Sequence, residues 1–344
     1  MIRVIGWDIG GANVKAARLL FTDGRAESGR TVRRYFELWN KREGLHPLLQ
    51  EIHSDLGSAD AMVLTMTGEL CDAFHDRAEG VAYIIDAVRE AIPGIPLYAI
   101  DLEGRIVRLD GGEADLLTLA ATNWIAEARV LASRQPNCLM MDIGSTTTDL
   151  IPILDGKLAA QGKRDIERLA HGELIYTGAL RTPVAAIVSQ IPMRGVICRI
   201  AAEYFAISAD VYLALGRLTP EDYTCATPDG REKTKEGALE RLARVACEDS
   251  KHLTAGELHA LAAYIAEKQL QQITEGMLHV LSRIENGLRL PVVSVGIGAF
   301  LGEACTRRMY LTTCDPPVLT DSGSVTLSPC AAAAYLLGQA LSHG

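Results

Sequence analysis

The sequence predicts an α/β protein built from two similar half-domains that face a central cleft. An apolar run that ends in Asp-Ile-Gly occurs twice, within residues 4–15 and within residues 139–149, and a Val- or Thr-rich run follows each copy. An apolar strand, a glycine turn and a returning strand form a β-hairpin. Two such hairpins therefore indicate two related sheets, although either copy alone would also fit an ordinary glycine turn between core strands.

The length and composition fit a two-domain globular protein. The chain has 344 residues, more than one typical core holds, and 48% of them are hydrophobic and 22% charged. We predict that residues 1–135 form the first half-domain and residues 136–327 the second. The final helix, at residues 328–344, is predicted to pack back on the first half-domain.

The net charge limits the kinds of molecule that the protein is expected to bind, and the cysteine spacing indicates its redox compartment. A net charge of -9 argues against a nucleic-acid surface, which needs clustered Lys and Arg. No apolar run reaches the ~18 residues of a membrane span. The eight cysteines form no Cys-x-x-Cys pair, which is typical of reduced core thiols. We therefore expect a cytoplasmic protein that acts on small molecules and binds neither nucleic acid nor membrane, with a homo-oligomer left open.

In the first half, hydrophobic spacing predicts strands and helices in the order of an α/β domain. A third strand is expected within residues 25–39, and Gly57 ends the helix that follows it. The remaining predicted elements are a strand at Ala61–Met66, a helix at 79–92, strands at 95–100 and 106–109, and a helix at 113–134.

The second half alternates in the same way. Thr254 and Glu257 have the spacing of a capping box, and they begin a long helical pattern that continues to Leu288. The other predicted elements are a strand at 184–191, helices at 208–215 and 235–250, strands at 291–295 and near Val318, and a final helix from Ser328.

The two hairpins differ in one charged position. At the same distance after the aspartate, the first hairpin carries Lys15 and the second carries Asp149. Lysine contacts phosphate oxygens, whereas carboxylates bind Mg²⁺, often through water. Glycine lets backbone N–H groups approach an anion. The pattern therefore predicts a phosphorylated ligand with a metal ion.

Polar residues follow another strand of the first half. Thr67 and Glu69 come after the apolar strand Ala61–Met66, at the edge where α/β sheets place function. Both are candidates for a site, although Glu69 would also fit a solvated loop acid.

Two segments of the second half add candidates. Tyr176 and Arg181 precede a predicted strand and would face a substrate, unless they are solvated rim residues. Gly296 and Gly298 follow a predicted buried strand, just before a helix. Backbone can approach a ligand at such glycines, although a lone Gly-x-Gly is a weak signal.

The order of these motifs resembles that of a known superfamily. The two Asp-Ile-Gly hairpins and the turn from Gly296 to Gly298 resemble, in order, the two phosphate loops and the adenosine loop of the sugar kinase/Hsp70/actin superfamily. The resemblance implies ribonuclease H-like, actin-like half-domains. Residues 142–149 look most like the Thr-rich loop of its hydantoinase/oxoprolinase branch.

Three short segments resemble one particular family within this superfamily. Residues 64–70, 176–183 and 226–231 look like those of a family linked to tetrahydromethanopterin-dependent C1 transfer in methylotrophic bacteria. The archaeal relatives of that family are methanofuran-biosynthesis synthases. This resemblance implies that (5-aminomethylfuran-3-yl)methyl diphosphate is condensed with the phenol of a glutamylated tyramine, or of tyrosine in bacterial methylofuran. An aryl ether forms and diphosphate is released.

The resemblance also implies roles for the candidate residues. The chemistry needs acids for Mg²⁺, donors for the leaving diphosphate and a base for a phenol whose free pKa is about 10. The predicted metal ligands are Asp8, Asp142 and Asp149, of which the first two are also counted as catalytic. The predicted donors to departing oxygens are Lys15 and the N–H groups of Gly10, Gly11, Gly144 and Ser145.

The remaining candidates concern the phenol and the rest of the ligand. The predicted base is Glu69, with Asp8 as second choice and His75 and His171 as further candidates. The residues predicted to face the substrate are Thr67, Tyr176 and Arg181. The residues predicted to complete the cofactor contacts are Asn13, Thr146, Gly296 and Gly298.

Two other functions fit the same loops. A small-molecule kinase or an oxoprolinase-like enzyme would bind ATP, with Gly296 and Gly298 at the adenosine. A nucleotide-switched partner protein would close on ATP without turnover. The expected cofactor is therefore Mg²⁺, with ATP left open, and the expected partners are a small-molecule diphosphate and a phenolic acceptor.

Overall fold

A computed structural model describes residues 1–110 and 115–343 of the chain. The chain divides into two compact units. One consists of Met1–Asn137, Ile153–Ala159 and Pro316–Gly344, and the other of Cys138–Pro152 and Ala160–Asp315. Within the described residues, no helix combines the length and the apolar character that crossing a bilayer requires.

Strands and helices alternate along the described chain. The strands are β1 (Ile2–Ile9), β2 (Asn13–Thr22), β3 (Arg25–Tyr35), β4 (Ala61–Met66), β5 (Leu97–Ile100), β6 (Ile106–Arg108), β7 (Cys138–Ile143), β8 (Thr148–Leu154), β9 (Lys157–Leu158), β10 (Leu174–Ile175), β11 (Gln190–Met193), β12 (Val196–Arg199), β13 (Val292–Val295) and β14 (Thr313–Cys314). The α-helices are α1 (Leu38–Lys41), α2 (Leu45–Leu56), α3 (Arg77–Ala91), α4 (Asn123–Arg134), α5 (Asp165–Ala170), α6 (Val184–Ile187), α7 (Ser208–Ala214), α8 (Lys235–Val245), α9 (Ala255–Ser282), α10 (Ala299–Arg308) and α11 (Pro329–His343).

The sheet of the first unit has the strand order β3-β2-β1-β4-β5-β6. The strands β1, β2 and β3 form an antiparallel meander, and β4 and β5 continue the sheet in parallel with β1. Buried Trp7 and Leu64 belong to one apolar cluster with Leu49 of α2 and Ile84 of α3. Because β1 and β4 are parallel, their carboxyl ends meet at the same edge of the sheet.

The C-terminal helix α11 packs on β1 through small residues. A Cβ on Gly6 would lie 2.0 Å from the carbonyl oxygen of Cys330 and 2.7 Å from the nitrogen of Ala334. Residues 331–334 are alanines and are fully buried. Gly6 and Trp7 point to opposite faces of the strand, so α11 covers the face opposite to α2 and α3.

The sheet built around β7 repeats this plan, with the order β10-β8-β7-β13-β14, and β9 pairs with the last residues of β8. The strand β10 is antiparallel to β8, whereas β13 is parallel to both β7 and β14. The strand β7 therefore corresponds to β1, β8 to β2, and β13 to β4. The match confirms the predicted α/β class with two similar half-domains.

The helix α9 has the predicted N-terminal cap. The hydroxyl of Thr254 accepts from the Glu257 N–H at 3.2 Å, and the Glu257 carboxylate accepts from the Thr254 N–H at 2.7 Å. This reciprocal pair is a capping box. The helix ends at Ser282, earlier than predicted, and the chain turns at Gly287, where a Cβ would lie 2.2 Å from the carbonyl oxygen of Leu281.

Three predicted elements differ from the structure. Among the described residues no strand forms near Val318, which makes only an isolated bridge with Thr326. The strand predicted at 184–191 is the short helix α6 followed by β11, because Pro183 leads into a turn in which the Val188 N–H donates to Val184 at 3.0 Å. The start of the helix predicted at 113–134 lies outside the described residues. Its described part has a short 3₁₀ helix at Leu116–Leu119, and α4 begins only at Asn123, because Ala121 between them is left-handed, with φ at 52°.

Candidate active site

The two Asp-Ile-Gly motifs form turns that close in the same way. The Gly10 N–H donates to the carbonyl of Asn13 at 2.9 Å, and the Gly144 N–H donates to the carbonyl of Thr147 at 2.9 Å. Each turn joins the first two strands of its sheet. The N–H groups of Gly10 and Gly144, which were predicted to contact a ligand, are therefore used to close the turns.

The residue before each glycine binds the neighbouring parallel strand. The carbonyl of Ile9 accepts from the N–H groups of Thr67 and Gly68, both at 3.0 Å, just beyond the end of β4. The carbonyl of Ile143 accepts from the Gly298 N–H at 2.8 Å, just beyond the end of β13. The repeat therefore extends to individual hydrogen bonds, and it brings Thr67 and Gly298 beside their respective turns.

The carbonyl groups of the first turn face the chain that follows β3. The Leu38 N–H donates to Gly11 at 3.0 Å, and the Phe36 N–H donates to Ala12 at 3.2 Å. These bonds fix the orientation of the two peptide groups at the tip of the turn.

The carbonyl groups of the second turn face the segment from Ala179 to Arg181. The Ala179 N–H donates to Gly144 at 2.9 Å, and the N–H groups of Leu180 and Arg181 donate to Ser145 at 3.0 and 2.8 Å. Arg181 was predicted to face a substrate because it is a polar loop residue, whereas the support that its segment provides to the turn was not predicted.

The peptide N–H groups at the tips of both turns remain open. Within the part of the chain that the structure describes, the N–H groups of Gly11, Ala12, Ser145 and Thr146 meet no protein acceptor. Successive open N–H groups in a turn form an anion-binding concavity. Each turn can therefore donate two hydrogen bonds to phosphate oxygens.

Asp8 and Lys15 form an ion pair at the base of the first turn. They lie directly opposite each other on β1 and β2, and Lys15 Nζ is 3.1 Å from Asp8 Oδ2. The Asp8 side chain is 5% exposed and that of Lys15 is 34% exposed. The other carboxylate oxygen of Asp8, Oδ1, is buried and has no hydrogen-bond partner among the described residues.

Thr67 and Gly68 pack against the first turn. A Cβ on Gly10 would lie 3.2 Å from the hydroxyl of Thr67, and a Cβ on Gly68 would lie 3.1 Å from the nitrogen of Gly11. The hydroxyl of Thr67 therefore lies against Gly10 of the first turn, and its predicted contact with a substrate stays a prediction.

Glu69 is a buried acid with a cationic neighbour. Its side chain is 1% exposed, and Oε1 lies 3.7 Å from Nε of Arg77. A Cβ on Gly80 would lie 2.1 Å from the carbonyl oxygen of Glu69, so α3 packs tightly on this residue. Glu69 is therefore enclosed, which excludes the alternative of a solvated loop acid, and its place as a candidate base stays a prediction.

Gly296 and Gly298 have packing reasons to be glycine. A Cβ on Gly296, whose φ is 84°, would lie 2.4 Å from Oδ1 of Asp142. A Cβ on Gly298 would lie 2.3 Å from the side chain of Ile143. Both glycines therefore let β13 and the start of α10 approach the second Asp-Ile-Gly motif, and Asp142 is held against this backbone.

Asp149 is paired with a buried arginine that the sequence analysis missed. Nη2 of Arg168 lies 2.5 Å from Oδ1 of Asp149, and the two side chains are 2% and 8% exposed. Arg168 also donates to the carbonyl of Glu173 at 3.3 Å. This pair favours a structural role for Asp149 over direct metal binding, because its charge is already compensated.

The other predicted ligand contacts differ in their surroundings. Nη1 of Arg181 lies 3.4 Å from the hydroxyl of Thr146, so its cation is beside the second turn. Tyr176 is 68% exposed. Asn13 accepts from Nε of Arg33 at 3.1 Å and is thereby held on β2.

The two histidines considered as bases lie in different settings. His75 is exposed and precedes α3, and its backbone N–H donates to Glu79 at 2.8 Å. His171 ends α5, and its carbonyl accepts from Arg283 at 2.9 Å. In residues 1–110 and 115–343, no group of three or more His, Cys, Asp or Glu side chains is arranged to hold a metal ion.

Comparisons with known proteins agree with the resemblance. The family model of hydantoinase/oxoprolinase matches residues 60–336. A protein of Methanocaldococcus jannaschii named "(4-{4-[2-(gamma-L-glutamylamino)ethyl]phenoxymethyl}furan-2-yl)methanamine synthase" is 37% identical over 298 residues, which cover 86% of this chain and 86% of that protein. A protein of the same name from Methanococcus vannielii is 40% identical over 162 residues, or 47% of this chain and 71% of that protein.

Solved structures agree on the fold. The nucleotide-free structure of acetone carboxylase matches with a TM-score of 0.55 at 12% identity, over 96% of this chain and 70% of that chain. At this identity the likeness concerns the fold alone. The expected actin-like architecture is confirmed, and the chain belongs to the hydantoinase/oxoprolinase family and, within it, to the furan-2-yl methanamine synthases that the two archaeal proteins represent.

Proposed function

We propose that this chain is the ether-forming synthase of methanofuran or methylofuran biosynthesis. It would condense (5-aminomethylfuran-3-yl)methyl diphosphate with the phenol of a glutamylated tyramine or of tyrosine. The name of the M. jannaschii relative describes a product of this kind, since a phenoxymethyl group on a furan is an aryl ether. The 37% identity over 86% of both chains is the main support for the reaction.

The reaction forms one C–O bond and breaks another. The phenolic oxygen bonds to the furan CH₂, the bond from that carbon to diphosphate breaks, and diphosphate leaves with the electron pair. The phenol gives up its proton. Because the furan ring can delocalise positive charge on the CH₂, the charge that develops on the leaving diphosphate dominates the barrier, and donors aimed at it accelerate the step.

The structural observation that carries this proposal is the pair of open turns. The N–H groups of Gly11 and Ala12, and those of Ser145 and Thr146, have no acceptor among the described residues, while the carbonyls around them are held. Each turn is thus a preorganised donor pair for phosphate oxygens. Losing one such donor costs about 3 kcal/mol of transition-state stabilisation.

Lys15 adds a full charge beside the first turn. Its ammonium group is 3.1 Å from Asp8 and a third of its side chain is exposed, so it is accessible to an anion while still paired. As a compact point charge, a lysine suits phosphate oxygens. Arg181, beside Thr146, offers the corresponding charge at the second turn.

The residues present fit a proposed Mg²⁺ requirement. Mg²⁺ is held in proteins by one or two carboxylates together with substrate phosphates and water rather than by a full protein cage. Asp8 supplies a buried oxygen without a hydrogen-bond partner among the described residues, and Asp142 is a second candidate. When bound, the ion would neutralise charge on the diphosphate. Asp149, held by Arg168, is left with a structural role.

Glu69 is the proposed base for the phenol. It is enclosed and lies two residues after Thr67, which contacts the first turn. Oε1 of its carboxylate lies 3.7 Å from Nε of Arg77, and an ionised carboxylate has about four acceptor positions, so it can accept a hydrogen bond from a substrate while still paired. Asp8 is the second candidate.

The test uses the purified protein with Mg²⁺, the furan diphosphate and either a γ-glutamyl tyramine or tyrosine acceptor. A parallel reaction contains ATP in place of the furan diphosphate. We expect the aryl ether and inorganic diphosphate in equal amounts, formed only when the phenol is present. ADP formation with ATP, without ether in the first reaction, would instead select the kinase or oxoprolinase-like function.

A further inference from the structure

A buried glutamine inside α9 connects that helix to the second turn. Gln269 is fully buried, and the other buried residues of α9 are apolar. Its Oε1 accepts from the hydroxyl of Tyr212 at 2.7 Å, and its Nε2 donates to the hydroxyl of Thr177 and to the carbonyl of Gly178, both at 2.8 Å. All three bonds join elements that are distant in sequence.

Gln269 bonds the side chain of Thr177 and the carbonyl of Gly178, and the peptide group between these two residues is held by other partners. The Thr148 hydroxyl, at the start of β8, donates to the carbonyl of Thr177 at 2.8 Å. The Gly178 N–H donates to the hydroxyl of Thr182 at 2.8 Å. The peptide therefore lies between the returning strand of the second hairpin and Gln269, with each polar group paired.

This peptide supports the tip of the second turn directly. A Cβ on Gly178 would lie 2.6 Å from the nitrogen of Thr146, so the two backbones are in contact. The next three residues donate to the carbonyls of Gly144 and Ser145. A shift of Gly178 would therefore move the peptide groups whose N–H groups are open.

The chemistry of the side chain explains why an amide occupies this place. A glutamine offers two N–H donors and a carbonyl acceptor on one rigid group, and the two donors and the acceptor are all used here. Burying a long polar side chain loses rotamer entropy and hydration, and this cost is offset only when its hydrogen bonds are made. A glutamate in its ionised form would lack both donors.

We propose that Gln269 is a positioning residue for the second turn of the synthase, acting through Thr177 and Gly178. The inference rests on the proposed function, because the turn is the site that would receive diphosphate oxygens. Gln269 itself touches no reacting atom. It sets the orientation of the Ser145 and Thr146 N–H groups on which the proposed stabilisation depends.

The test compares Gln269→Met, which keeps the length of the side chain, with Gln271→Met, the same change on the exposed side of α9. Each variant is examined by hydrogen–deuterium exchange resolved to peptides, by titration with Mg²⁺ and inorganic diphosphate, and by the ether-forming assay. For Gln269→Met we expect exchange of residues 177–181 to accelerate about tenfold or more, since three hydrogen bonds are lost. Gln271→Met should behave as the parent protein.

The loss of activity should accompany the faster hydrogen exchange of residues 177–181. For Gln269→Met we expect kcat to fall about tenfold to a hundredfold, since small misplacement of binding groups has effects of this size. Binding of inorganic diphosphate should weaken, while the KM for the phenolic acceptor stays unchanged. Gln269→Glu is expected to resemble Gln269→Met, and Tyr212→Phe, which removes one bond, should show the same local exchange effect in smaller degree.

Hydrogen exchange tests the positioning role of Gln269, whereas ether formation tests the proposed reaction. Unchanged exchange in residues 177–181, or acceleration spread evenly over the protein, would overturn the positioning role. If Gln269→Met does not fold, hydrogen exchange is measured on Tyr212→Phe instead. Unchanged exchange in residues 177–181 of that variant would overturn the positioning role. If the parent protein makes no ether, yet local exchange and diphosphate binding change together in Gln269→Met, the proposed reaction fails while the positioning role stands.

Discussion

The guanidinium of Arg168 donates to the carboxylate of Asp149 at 2.5 Å in the interior of the second unit. Asp149 lies on β8, opposite Leu174 of β10. Arg168 also donates a hydrogen bond to the carbonyl of Glu173. The pair joins α5 to the strand that returns from the second turn. Asp149 occupies the position that corresponds to Lys15 of the first hairpin, and it is part of a buried ion pair.

Asp149→Asn should therefore destabilise the protein. The change leaves the Arg168 charge buried without its counterion, and breaking such a pair costs roughly 3–5 kcal/mol. Urea denaturation measures the loss. The double variant Asp149→Leu with Arg168→Met should recover most of the stability, because it removes both charges. A stable Asp149→Asn protein that needs far more Mg²⁺ would instead make Asp149 a metal ligand.

Lys15→Met should slow the proposed reaction. The ammonium group is the cation placed beside the first turn, and loss of one group that stabilises developing negative charge lowers kcat by about 10²- to 10³-fold. Lys41→Met is the matched control, since Lys41 pairs with Glu37 on the surface of the same unit. Steady-state kinetics on folded samples, verified by thermal melting, provide the measurement. Equal rates for the two variants would contradict a role for Lys15.

Gly178→Ala should damage the second turn. The new Cβ would lie 2.6 to 2.7 Å from backbone atoms of Ser145 and Thr146, which cannot move as a flexible side chain would. We expect lower stability and loss of diphosphate binding, seen by thermal melting and calorimetric titration. Gly256→Ala, in the first turn of α9 with only one atom within 4 Å, should stabilise by about 0.5–1 kcal/mol. Similar behaviour of both variants would contradict the close contact.

The cysteines should react with thiol reagents at very different rates. Cys247 is exposed, whereas burial raises the pKa of Cys138 to about 12 and the pKa values of Cys225 and Cys330 to about 11. The thiolate is the reactive form, so Cys138, Cys225 and Cys330 should react near pH 8 only as fast as the protein opens. Absorbance after addition of a disulfide reagent records the phases. Reaction of Cys138, Cys225 or Cys330 as fast as that of Cys247, identified by mass spectrometry of the labelled peptides, would contradict this assignment.

The sequence predicts the parts of the site that are continuous along the chain. The glycine turns, Lys15, and Thr67 after β4 follow from local patterns, because a hairpin and a strand end are defined by neighbouring residues. The partner of Asp149 and the role of Gln269 do not follow, since each depends on contacts between elements far apart in sequence. In the helical pattern of α9, Gln269 is one polar residue among several, and only its burial separates it from Gln271.

Dependence on contacts between distant segments also explains the wrong prediction at 184–191. The run at 184–191 is apolar enough for a strand, and apolarity alone does not distinguish a short buried helix from a strand. The turn of α6 is selected by Pro183 and by the bond from the Val184 N–H to Ala206, which belongs to a later segment.

In the proposed reaction, the phenolic oxygen of the acceptor becomes the ether oxygen as diphosphate leaves. An acceptor labelled with ¹⁸O in its phenol, incubated with the protein, Mg²⁺ and the furan diphosphate, tests it most directly. Mass spectrometry should find the label in the aryl ether and none in the released diphosphate. Label in a phosphate product, or no ether at all, would rule out this reaction.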